Sequence, residues 1–186
     1  MARPRLVSDE ELEAGAREAF LELGPAAPVS DIARRLGVTQ AALFHRAGSK
    51  EALMLRALTP GAPEAVAVFL AGPTEEPLHE QLTPVLRSLL QFLDVAIPGL
   101  MVLRGAGVAM DGAGQPPPLE LRAAFTRYLT MAVARRLVTL PKPAATADAL
   151  LSSLEARALN RYLGGPSFVS GSDSAFIKGL LEAVLS

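Results

Sequence analysis

Apolar side chains recur along this chain at helical spacing. Leu12, Ala16, Ala19, Phe20 and Leu23 share one face of a predicted first helix over residues 8–23. Ser8 suits its N-cap, Glu11 completes a capping box three residues on, and Gly24-Pro25 ends it. The opposite face carries Asp9, Glu10, Glu13, Glu18 and Glu22. A short second helix is predicted from Asp31 to Leu36, with Ser30 as cap and Gly37 as stop. A third opens at Thr39 and runs to about Ala47, and a fourth starts at Ser49 and carries Leu53, Met54 and Leu58. Beyond Pro60 the segments lengthen, and the pattern predicts helices at about 64–71, 77–97, 99–110, 117–139, 146–163 and 173–185. Prolines and glycines separate them, notably at 98–99 and 112–118. No period-2 alternation is sustained, so the expected fold class is all-α, with about nine or ten helices.

Composition narrows the chemistry. The 186 residues are half apolar, which excludes a disordered chain and supplies a core without staples. There is no cysteine, and the two histidines, His45 and His79, are far apart in sequence. Disulfide frameworks, thiolate metal sites and cysteine nucleophiles are therefore excluded. No Gly-rich phosphate loop stands between a strand and a helix. These features argue against an enzyme, and no metal or cofactor is called for. The longest stretch without a charged residue, 162–172, has 11 residues and is rich in Gly and Ser. A membrane span needs roughly 18 or more apolar residues. The expectation is a cytoplasmic protein without a membrane partner.

Charge is unevenly placed. The net charge of −1 hides −5 over residues 8–24 and +3 over residues 30–58. The basic stretch also has the form of a helix-turn-helix, from Val29 to Arg46. Ala33 is small where two helices must approach. Gly37 can adopt the positive φ of the turn, and Val38 and Leu43 are placed to fill the angle between the helices. Polar residues near the start of the second helix suit the DNA major groove. Arg3 and Arg5 would add a basic arm along the duplex.

Residues 1–58 resemble the N-terminal DNA-binding domain of the TetR family of bacterial transcriptional regulators. The likeness rests on Arg3-Pro4-Arg5, Ala19-Phe20 before Gly24, Val29-Ser30-Asp31-Ile32-Ala33, Gly37-Val38-Thr39, Leu43-Phe44 and Gly48-Ser49-Lys50-Glu51-Ala52-Leu53. The resemblance implies a DNA-binding domain over 1–48 and a helical ligand-binding and dimerisation domain over 49–186. By that resemblance Ser30 and Lys50 meet phosphates, while Thr39, Gln40 and Ala41 lie near bases or backbone. Gln40 has the amide to pair with adenine. Arg34 and His45 are further candidates for the DNA face. Phe44 stands where the family usually has Tyr, so a hydroxyl contact to phosphate is missing. Arg46 and Ala47 replace a common His-Phe pair, and Arg46 is a candidate to restore a phosphate contact.

The remaining helices offer apolar faces with two readings each. Leu86, Leu90, Leu93, Leu103 and Phe125, with Arg104 and Tyr128 as polar anchors, could line a cavity for a small hydrophobic effector or simply form core. The family dimerises through its last two long helices. The resemblance therefore assigns a homodimer interface to Leu151, Leu154, Ala158, Leu159, Tyr162, Phe176, Leu180, Leu181 and Val184, which could equally be monomer core. The function implied is a ligand-responsive repressor that binds a palindromic double-stranded DNA operator as a dimer. The alternative is a helical small-molecule-binding or interaction protein that has lost specific DNA binding.

Overall fold

The computed structural model describes residues 7–108 and 117–185. Arg3 and Arg5, and most of the break expected at 112–118, lie outside the described residues. Among the described residues there are nine α-helices and no strand. They are α1 (Asp9–Leu23), α2 (Val29–Arg35), α3 (Gln40–Ala47), α4 (Lys50–Leu58), α5 (Ala65–Ala71), α6 (Leu78–Gly105), α7 (Pro117–Ala134), α8 (Pro143–Gly164) and α9 (Asp173–Leu185). A single 3-10 turn, Pro166–Phe168, follows α8.

The helix starts follow local capping chemistry. The Ser8 hydroxyl accepts from the Glu11 N–H, and the Glu11 carboxylate accepts from the Ser8 N–H. Thr39 and Ser49 accept from Ala42 and Ala52 in the same way. Each such bond satisfies an amide that the first helical turn leaves without an intrahelical partner. Ser30 departs from its expected role. Pro28 takes the N-cap position, its carbonyl accepts from Asp31 and Ile32, and Ser30 lies one residue inside α2.

The chain forms two compact units. Residues 7–60 and 98–108 make one, and residues 61–97 and 117–185 make the other. The helix breaks expected at 98–99 do not occur, and α6 runs through Pro98 for 28 residues. A proline inside a helix removes one backbone hydrogen bond. Burial on both sides of it offsets that loss. Ile97 is in the core of the second unit, and Gly99 and Leu103 are buried in the first.

In the first unit α1 packs on α4, and α2 and α3 close the other side. Leu12, Ala16, Phe20, Ile32, Leu43 and Leu53 meet in its core. The second unit is built on α7, which packs against both α5 and α8. Phe69 and Phe125 stack there with ring centres 4.3 Å apart. α7 ends earlier than the sequence pattern predicts. Arg136 takes a φ of 60°, and the Leu137 N–H turns back to the Ala132 carbonyl, a helix-terminating arrangement. At the far end Arg157 is buried and satisfied. Its Nε donates to Asp173 at 2.8 Å, its two terminal nitrogens donate to the carbonyls of Ser170 and Gly171, and it lies over the Phe176 ring. α6 has the length and hydropathy of a membrane span, with a mean hydropathy of 1.6 over its most apolar window. Its Leu82, Leu86, Leu89 and Leu90 are instead buried in the protein's own core.

Candidate nucleic-acid interface

The turn between α2 and α3 is built by backbone geometry. Gly37 has a φ of 66°, a conformation that a side chain would strain. The Val38 N–H then reaches the Ala33 carbonyl at 3.0 Å, and the Gly37 N–H reaches Arg34. These bonds satisfy the end of α2 and let Thr39 cap α3 two residues later.

α3 divides into an inner and an outer side. Leu43 and Ala47 are buried in the domain core. Gln40, Ala41 and His45 are exposed, and Phe44 is half-buried. The outer side therefore presents an amide, a methyl and an imidazole, groups that can meet base edges in a major groove. Ser30, Arg34 and Thr39 are exposed beside it, and Lys50 is half-buried at the start of α4.

The arginines are engaged within the domain, which sequence reasoning missed. Arg35 binds Glu22 at 2.5 Å, and Arg56 binds Glu13 at 2.7 Å. Arg46 donates to Asp9 through two nitrogens and to the Val7 carbonyl through the third. Arg34 pairs with Asp31, one turn away in its own helix. The acidic α1 and the basic stretch after it are thus complementary surfaces of one unit. The opposite charges of residues 8–24 and 30–58 were the available signal. The pairing leaves its mark on the carboxylates. Hydrogen bonding and charge from Arg46 hold Asp9 below the usual carboxylate range, and Arg35 does the same for Glu22. The pairs differ in how readily they open. Arg34 is 77% exposed, so its ion pair is screened by water and costs little to break. Arg46 is 30% exposed and makes three bonds, so it is held more firmly.

This geometry coincides with a family match. Residues 13–57 match the family model for bacterial regulatory proteins, tetR family. The match falls within the N-terminal unit. Solved structures of TetR-family proteins also resemble the chain over nearly its full length. A protein from Mesorhizobium loti assigned to the TetR family of transcriptional regulators shares 15% identity at a TM-score of 0.68, covering 95% of this chain and 92% of that one. The TetR-family regulator PfmR from Thermus thermophilus shares 19% identity at a TM-score of 0.66, covering 94% and 96%. NalD, the secondary repressor of the MexAB-OprM multidrug efflux pump in Pseudomonas aeruginosa, shares 20% at 0.55, covering 94% and 95%. The chain has the all-helical fold of TetR-family regulators. A search of curated proteins found no match.

The candidate effector lining is not one set. Leu86, Leu90, Phe125 and Tyr128 are buried in the second unit's core, and Leu93 is packed against it. Leu103 is instead buried in the core of the first unit, and Arg104 is exposed on the same stretch. Tyr128 is not a free anchor. Its hydroxyl donates to Gln81 Oε1 at 2.8 Å, and burial pushes its pKa up to about 12. Gln81 in turn accepts from the Thr74 N–H and donates to the Glu76 carbonyl, tying down the segment before α6.

The candidate dimer stripe faces mostly inward. Leu151, Leu154, Ala158 and Leu181 are buried in their own unit. Leu159, Phe176, Leu180 and Val184 pack against that core, and Tyr162 is exposed. The outward side of α8 carries Ser152, Ala156, Asn160 and Leu163. Among the described residues no cluster of His, Asp and Glu could hold a metal ion.

Proposed function

We propose that this chain is a DNA-binding transcriptional regulator, acting in the cytoplasm as a homodimeric repressor released by a small apolar effector. The exposed Gln40, Ala41 and His45 on a capped helix after the Gly37 turn carry this reading. DNA reading falls to the helices within residues 1–48, joined by Lys50 at the start of α4, and sensing and pairing fall to the second unit within residues 49–186. In this reading Gln40 and His45 face bases, Ala41 lies against them, and Ser30, Arg34, Thr39 and Lys50 approach phosphates. A dimer presents two recognition helices to half-sites roughly 34–36 Å apart. Exposed Tyr162 and Leu163, with Ala156 and Asn160, are the better candidates for the partner, because the deeper leucines serve each protomer's own core.

The effector acts by population shift. It must bind the state that cannot hold operator more tightly than the state that can. No catalytic role is assigned.

A second reading has a specific observation in its favour. Arg35, Arg46 and Arg56 are bound by acids of the same domain, and Phe44 lacks a hydroxyl. A helical ligand-binding protein that has lost specific DNA binding would look the same there. Selection of duplexes from a random pool separates the two. Enrichment of an inverted repeat supports the regulator, and no enrichment supports the alternative.

A further inference from the structure

The last turn of α3 is gripped twice. Arg46 sends Nε and one terminal nitrogen to Asp9, the first residue of α1, and its other terminal nitrogen to the Val7 carbonyl at 2.6 Å. Arg56, in the last turn of α4, donates to the Arg46 backbone carbonyl at 3.1 Å. The same guanidinium donates to Glu13 at 2.9 and 2.7 Å. Asp9 and Glu13 are neighbours one turn apart on α1. Two arginine forks therefore bind the side chain and the carbonyl end of α3 to a single patch of α1.

α3 needs such a device because its apolar anchor is small. Its buried side offers only Leu43 and Ala47. Apolar burial is non-directional, so it holds a short helix against the core without fixing its rotation. A rotation of about 20° would move a side-chain tip at a radius of about 6 Å by about 2 Å. That displacement is larger than the tolerance of a hydrogen bond. Planar, charge-assisted forks supply the missing direction.

We propose that the Asp9–Arg46–Arg56–Glu13 chain sets the rotation of α3 and so its choice of bases, which makes Arg46 a positioning residue and not a phosphate contact. The proposal rests on the DNA-binding reading above.

Two conservative variants test it, Asp9→Asn and Arg46→Lys. Affinity is measured for a duplex selected by the wild-type protein from a random pool and for a scrambled duplex of the same length. Each is titrated with salt, and thermal unfolding is followed alongside. Both variants are expected to lose about tenfold in preference for the selected duplex, with the salt slope unchanged. Asp9→Asn is decisive, because it removes an acid and leaves every candidate phosphate contact in place.

If Arg46 instead meets a phosphate, Asp9→Asn removes the competing negative charge and tightens binding, and Arg46→Lys keeps both preference and slope. That pattern overturns the proposal. So does a lowered unfolding temperature with an unchanged preference, which would leave the network a purely structural role. A wild-type protein without salt-sensitive DNA binding brings down the regulator reading and the proposal together. Wild-type preference that survives Asp9→Asn brings down the proposal alone.

Discussion

A methyl group on Gly99 would stand 2.7 Å from the carbonyl oxygen of Leu58. The atoms facing Gly99 are backbone atoms, so no flexible side chain can give way. Gly99 lies inside α6, where alanine would normally add about 1 kcal/mol of helix stability. Overpacking of this kind typically costs about 1–3 kcal/mol. Gly99→Ala is expected to lower the urea midpoint, whereas Gly105→Ala, which meets nothing within 4 Å, should not. An unchanged midpoint for Gly99→Ala would show that α4 and α6 can part without loss.

Tyr128→Phe removes the bond to Gln81 and should cost about 1 kcal/mol at neutral pH. Its pH signature has a definite sign. The folded phenol resists ionisation up to about 12, while an unfolded tyrosine releases its proton near 10.0. Stability contributed by this group is therefore full below pH 10 and falls as pH rises through that window. The wild-type protein should show a late phenolate titration that the variant lacks. A late phase that persists in Tyr128→Phe would assign it to another group.

Arg157→Ala leaves Asp173 and two loop carbonyls without their shared donor. Asp173 is partly exposed and keeps Arg161, so the loss comes mainly from the two carbonyls and should be about 2 kcal/mol, read as a lower urea midpoint. Arg157→Lys should recover only part of this, because a point charge cannot serve three acceptors in one plane. Full recovery by lysine would reduce the site to simple charge balance.

Lys50→Ala should weaken binding to all duplexes and reduce the salt slope by about 1. Gln40→Ala should instead flatten preference at one base position of each half-site and leave the slope unchanged. Both are read by the salt titration used for the positioning variants. Uniform weakening by Gln40→Ala would remove it from the base-reading set.

The features legible in the sequence were those set by neighbours along the chain. Ser8, Thr39 and Ser49 announced helix starts because capping needs only a hydroxyl and an amide three residues on. Gly37 announced the turn because its φ excludes most other residues. Local rules failed where distant contacts decided the outcome. Pro98 reads as a break, yet burial of Ile97 and Leu103 carries α6 through it. Leu103 belongs to the helical period of the sensor set but packs in the other unit. Arg46 reads as a free cation because Asp9, its partner, lies 37 residues away. Ser30 departs for a local reason: α2 opens at Val29, so Pro28 holds the N-cap position without a side-chain cap bond and Ser30 falls inside the helix.

Whether α3 reads DNA is decided by selection with the wild-type protein from a random duplex pool, followed by salt titration of the winning sequence. The expected product is an inverted repeat whose half-sites are centred about one helical turn apart. Its affinity should fall steeply with salt. A pool that emerges unenriched, with no salt-sensitive binding to any duplex, would contradict DNA reading by α3.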